Sequence, residues 1–143
     1  MPTGVRVDPY SNFRFHVEID GMTYAMFREC TGFMSEIAIT ENPQGGVFET
    51  QKLPGRVKYS NIVLKWGLTD SADLYKWHAD AIKGMITRKN GSIRVLDSLG
   101  QEKVRWNFFN GWPSKYDAPD FNASSDDIAI ETLEIAIERL ERG

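Results

Sequence analysis

A mostly antiparallel β protein, built as a barrel or sandwich with one amphipathic helix packed outside it, is the fold class this sequence predicts. Three observations carry that expectation. Several short runs alternate apolar and polar residues, turn dipeptides separate those runs, and a single segment carries a convincing helical stripe. The chain has 143 residues, enough for one domain with its own core. No internal repeat or domain boundary interrupts it.

Phe13, Phe15, Val17 and Ile19 alternate with Arg14, His16 and Glu18, which predicts a strand with one buried face. Asp20-Gly21 is a two-residue hairpin turn, and a return strand runs from Met22 to about Arg28. In that register Ile19 faces Met22, Val17 faces Tyr24 and Phe15 faces Met26, so both strands bury the same face. After the Thr31-Gly32 break, Ser35 to Thr40 reads as a third strand. Glu41 to Arg56 holds Pro43, Gly45-Gly46 and Pro54-Gly55, lacks periodicity, and reads as a loop or extended arm.

Asn61 to Trp66 is rich in β-formers and predicts another strand. Asp70 is a candidate N-cap for the helix, with Asp73 three residues on. Leu74, Trp77, Ala81, Ile82 and Met85 share one helical face. Gly84 and Asn90-Gly91 mark its end and the next turn. Ile93 to Asp97 and Lys103 to Phe109 form a second hairpin around Ser98-Leu99-Gly100, with Val104, Trp106 and Phe108 on its apolar face. Gly111 to Ser125 is turn-rich. The C-terminal segment fits two patterns: Ile130, Leu133, Ile137 and Leu140 as a helical stripe, or Leu133, Ile135 and Ile137 as a strand. The glutamates favour helix by propensity, and periodicity alone leaves both open.

Composition narrows the function. Apolar residues are 41%, charged residues 26% and aromatic residues 12%, ordinary globular values that argue against disorder. A net charge of −3 argues against a basic nucleic-acid-binding surface. Cys30 is alone, so no intrachain disulfide forms, and Cys30, His16 and His78 are not clustered as zinc ligands. Met1 to Tyr10 has no apolar run of the secretory type, and no stretch approaches the roughly 20 apolar residues of a membrane span. Synthesis in the cytoplasm without stable membrane insertion is the expectation.

No catalytic, cofactor-binding or metal residues emerge. His16 points to the polar face of its strand and Cys30 to the apolar face, so they cannot form a nucleophile pair without a bulge. His78 with Asp73 or Asp80 lacks a nucleophile elbow. Asp126-Asp127 reads as a solvated pair, and Gly45-Gly46 lacks the spacing and following Lys of a phosphate loop. Of the tryptophans, Trp77 and Trp106 read as core. Trp66 and Trp112 flank glycines and are either core or rim packing, or interface anchors.

Four motifs in order, Gly45-Gly46, Lys52-Leu53-Pro54-Gly55, Leu64-Lys65-Trp66-Gly67, and the acid-led helix with Leu74 and Trp77, resemble the T4-type phage tail tube family. That family includes the tube proteins of extracellular contractile injection systems. The opening Phe13, Phe15, Val17 strand, the Cys30-Thr31-Gly32-Phe33 corner and Gly111-Trp112-Pro113 also match in kind. Two positions depart from the family pattern: Val47 and Phe48 stand where an asparagine is usual, and Trp66 where an arginine is usual.

The resemblance implies a tail-tube (Hcp-like) β-barrel with a flanking helix, and strand over Ile130 to Leu140. It implies hexameric rings stacked into a hollow tube, with sheath and baseplate proteins as partners and cargo in the lumen. The tube would be driven through a target envelope on sheath contraction, with no cofactor and no enzymatic step. The implied subunit interface is an arm at about 41–56, through Gly45, Gly46, Val47, Phe48, Leu53, Pro54 and Gly55. The candidate lumen-lining residues are Arg14, His16 and Glu18, or Lys103, Arg105 and Asn107. A secreted ring protein or chaperone of the type VI kind, and a monomeric β-barrel ligand-binding module, are the competing expectations.

Overall fold

A computed structural model describes residues 14–24, 27–43, 45–46, 48–124 and 128–143. Strands β1 (Arg14–Ile19) and β2 (Met22–Tyr24) make the predicted hairpin, with Ile19 opposite Met22 and Val17 opposite Tyr24. Asp20 and Gly21 take φ of 52° and 82°, as a two-residue hairpin turn requires. Phe13 and Met26 lie outside the described residues, and with them the pairing of Phe15 to Met26. The return strand does not run on to Arg28 beside β1. Instead β3 (Phe27–Thr31) pairs with β6 (Ile62–Gly67), and Met22 is 59% exposed rather than buried.

Strand β7 (Lys89–Leu96) pairs with β1 and with β8 (Glu102–Asp117), confirming the second hairpin. Strand β8 is 16 residues long and passes through Gly111, Trp112 and Pro113, which the sequence reads as turn-rich. Its first half pairs with β7 and with β10 (Arg139–Arg142), its second half with β9 (Ile130–Ala136). The switch falls at Asn110, whose φ of 55° bends the strand from one wall to the next. The wall runs β2-β1-β7-β8-β9-β6-β3, all antiparallel, and its two edge strands are consecutive in the chain.

The core lies inside this wall. Alternation along β6 buries Ile62, Leu64 and Trp66, each at most 2% exposed. Trp66 meets Phe27 edge-on at 5.6 Å, so it belongs to the subunit's own core and is not an exposed anchor. Trp112 is half-buried. Trp106 is also half-buried, against Phe33 at 5.9 Å and under the Arg142 guanidinium, and is therefore not the core residue the alternation predicts. Gly91 is dictated by packing: a Cβ there would stand 2.3 Å from Phe108 Cζ.

The C-terminal segment is strand. Leu133 and Ile135 on β9 are 0% exposed between β6 and β8, and that burial overrides the helix preference of Glu134 and Glu138. Glu131 is buried with them and accepts a hydrogen bond from the Tyr116 hydroxyl at 3.1 Å.

Helix α1 (Asp73–Ile82) packs against β8 and is shorter than its apolar stripe suggests. Ala72, not Asp70, is its N-cap, without a side-chain cap. Leu74 and Trp77 are buried, but Ile82 is 73% and Met85 58% exposed. Trp77 also donates Nε1–H to the Thr87 carbonyl at 2.8 Å. Trp77→Ala should therefore cost the isolated subunit about 3–5 kcal/mol. Chemical denaturation reads this directly, and an unchanged midpoint would remove Trp77 from the core.

Candidate functional site

Two surfaces stand apart from the core. The first is a ribbon of β4 (Ser35–Asn42) and β5 (Gln51–Tyr59), which pair with each other as a separate two-stranded sheet. Every residue of β4 is exposed, and so is every residue of β5 before Tyr59. The expected arm thus starts at Ser35, ends at Tyr59, and is an ordered ribbon where the sequence reads a loop over 41–56. Pro54 sits within β5 without disrupting a larger sheet, because among the described residues the two strands of the ribbon pair only with each other.

The ribbon is fixed at its base. Gly32 turns the chain with φ of 97°, and a Cβ there would overlap the Asn61 carbonyl oxygen at 2.0 Å. Ser60 Oγ donates to the Gly32 carbonyl, and Ser60 N to the Met34 carbonyl at 3.1 Å. Register then sorts the side chains. Ile37 faces Val57, and Ile39 faces Pro54, across a bulge in which Gly55 and Arg56 oppose Ala38. Ile37, Ile39, Pro54 and Val57 therefore share one face, with Ile37 55%, Ile39 66% and Val57 56% exposed.

Leu53, 39% exposed, lies beside Thr40 on the opposite face. Phe48 stands at the tip, 107% exposed, next to the turn at Gly45-Gly46. Val47 lies outside the described residues. The sequence reading missed Ile37, Ile39 and Val57 as surface residues. The alternation Val57-Lys58-Tyr59 was the available signal, hidden behind Pro54-Gly55.

The second surface is polar. Cross-strand pairing aligns His16 with Arg94 and Arg94 with Arg105, and in the next row Glu18 with Ser92, Asn107 and Glu141. Arg14, His16, Glu18, Arg105 and Asn107 thus lie on one face joined by β7, while Lys103 falls at the register shift between Val95 and Leu96. Glu102 accepts from Arg94 Nε at 2.8 Å and Arg105 Nε at 2.9 Å, and these two guanidinium contacts hold its carboxyl below the usual range. Lys103 pairs with Asp97 at 3.6 Å near the hairpin end. Ser92 Oγ donates to Asn107 Oδ1 at 2.6 Å, and Arg139 lies 4.0 Å over the Phe109 ring. Cations and carboxylates interleave, so no strong field of one sign forms.

Reactive constellations do not assemble among the described residues. Burial pushes the Cys30 thiol up to about 12, which keeps it protonated and unreactive, and His16 lies across the sheet on the polar face. His78 Nδ1 sits 3.1 Å from the Pro113 carbonyl oxygen, with its ring against Tyr116. No group of three metal-ligating side chains occurs among these residues. No helix among them is long and apolar enough to cross a membrane. Asp126-Asp127 lies outside the described residues.

The family model for T4-like virus tail tube protein gp19 matches residues 11–141. No curated protein matches the chain. Among solved structures, a chain of the extracellular contractile injection system PVC sheath-tube complex in its extended state shares 23% identity. The match covers 94% of this chain and 91% of that one, with a TM-score of 0.86. A chain of the anti-feeding prophage tube-terminating cap shares 23% identity over 98% and 95%, with a TM-score of 0.85. Hcp1 from Flavobacterium johnsoniae is more distant: 16% identity over 91% and 94%, TM-score 0.58.

Proposed function

The chain belongs to the T4-like virus tail tube protein family, and from that membership we propose that six copies close into a ring and that rings stack into a hollow tube. The observation that carries the proposal is the Ser35–Tyr59 ribbon: two exposed strands that pair, among the described residues, only with each other, and an apolar face left exposed. In a monomer such edges and patches invite unwanted association, whereas in a closing ring they become contacts between neighbours. Relatives supply the setting. One matching chain is part of a sheath-tube complex, and another comes from a baseplate solved with 6-fold symmetry. Sheath and baseplate proteins of the same machine are the partners we assign.

In this reading the subunit is made in the cytoplasm, works within a phage tail or injection particle, and needs no chemistry. The tube moves as a rigid piston and cargo passes through its lumen. The polar face of β1, β7 and β8 lines the channel. Light scattering and negative-stain microscopy of the purified protein test the assembly. Rings or tubes are expected, and a folded monomer at high concentration would overturn the proposal in favour of a ligand-binding module.

The lining makes a separate prediction. Because Glu18, Glu102 and Glu141 interleave with Arg14, Arg94 and Arg105, the assembled particle should not retain duplex DNA at physiological salt. A salt-resistant complex in a filter-binding assay would contradict this lining.

A further inference from the structure

We propose that the ribbon tip of one copy docks at the ribbon base of a second copy, Phe48 entering an apolar pocket there and Glu49 pairing with Arg28 at its rim. This rests on the reading of the chain as a self-assembling subunit. The pocket, of about 440 Å³, is walled by Phe15, Cys30, Phe33, Val95, Val104 and Trp106. That volume is within the range of cavities that hold small organic ligands, ample for a benzyl side chain.

The chain's own tip does not fill it. Phe33 lies two residues before β4, so the pocket is at the base of the ribbon. The eight residues of β4 carry the tip roughly 26 Å away at about 3.3 Å per residue. Phe48 is 107% exposed and is not packed against the described residues. Every copy therefore offers both a tip and a pocket, which is the requirement for a head-to-tail contact that repeats from copy to copy.

Charge selects the occupant. Arg28 at the pocket edge is exposed and has no ion pair among the described residues, whereas its neighbour Glu29 is paired with Lys65 at 3.7 Å. Glu49, next to Phe48, is likewise exposed and without an ion pair among the described residues. Seating Phe48 brings an unmatched carboxylate to an unmatched guanidinium, a pairing that sets orientation as well as strength.

The test is a charge exchange read as the concentration needed for assembly, with circular dichroism to confirm folding. Arg28→Glu and Glu49→Arg should each raise that concentration several-fold, and the double exchange should bring it back. Phe48→Ala, and Val95→Phe placed to occupy the pocket, should each raise it at least about tenfold, the scale of an interface anchor. If Val95→Phe does not fold, the charge exchange alone decides. Single variants that assemble as wild type, or a double exchange without recovery, would overturn the docking. If Ile39→Asp with Val57→Asp still blocks assembly in that case, the tube reading stands without it. If those variants also assemble normally, the ribbon's role fails as well.

Discussion

Ile39→Asp combined with Val57→Asp gives a subunit that folds as wild type and grows no tubes. Both side chains are more than half exposed in the isolated chain, so the substitutions remove no intramolecular core. The ribbon's pairing survives, since the effect of an exposed strand residue on β-structure is on the order of 1 kcal/mol. Assembly is different. Burying one aliphatic side chain contributes about 1.5–3 kcal/mol, so losing two weakens each contact by roughly two to four orders of magnitude. A buried, unpaired carboxylate adds a desolvation cost to that. Circular dichroism and negative-stain microscopy check the two halves of the prediction. Normal tubes would exclude this face from the interface, and an unfolded subunit would mean that the ribbon supports its own barrel.

Trp66→Ala has the opposite signature. It destabilises the subunit itself, by about 3–5 kcal/mol, because a large side chain at 2% exposure leaves a cavity against Phe27. That is a large share of the 5–15 kcal/mol that holds a typical domain together. The measurement is denaturant unfolding of the unassembled protein. An unchanged midpoint together with lost assembly would place Trp66 at a subunit interface instead. With the expected loss of stability, Trp66 acts as a packing residue within the subunit, against Phe27.

Much of the barrel was legible because a strand with one buried face writes a period of two into its residues. Val17 and Ile19, Leu64 and Trp66, and Val104 and Phe108 carry that pattern and are all buried. The Asp20-Gly21 turn fixed the first register for the same local reason. The pattern says less about ends. Ile82 and Met85 continue the helical stripe of Leu74 and Trp77 in the sequence, yet the helix ends at Ile82 and both side chains are exposed.

The candidate site was only half legible. The stretch containing Phe48 and Leu53 could be recognised as unusual from its glycines and prolines, and the polar residues of β1 and β8 from alternation. That these polar residues form one face follows from β7 standing between the two strands, a long-range pairing no local pattern records. The same holds for the apolar side of the ribbon. Ile37 and Val57 are 20 positions apart, and a bulge shifts the register between them and Ile39 with Pro54.

The sequence by itself determined that this chain is a β-rich domain with one helix and, through its ordered motifs, the family it belongs to. Alternation and turn chemistry are properties of neighbouring residues and survive without a fold. Tertiary structure decided whether Glu-rich β9 was helix or strand, that Trp66 faces inward, and which apolar residues the ribbon leaves bare. For β9 and Trp66 the deciding energy is burial against strands distant in the chain, and for the ribbon the deciding fact is the β4–β5 register; neither exists until the partner strand is in place.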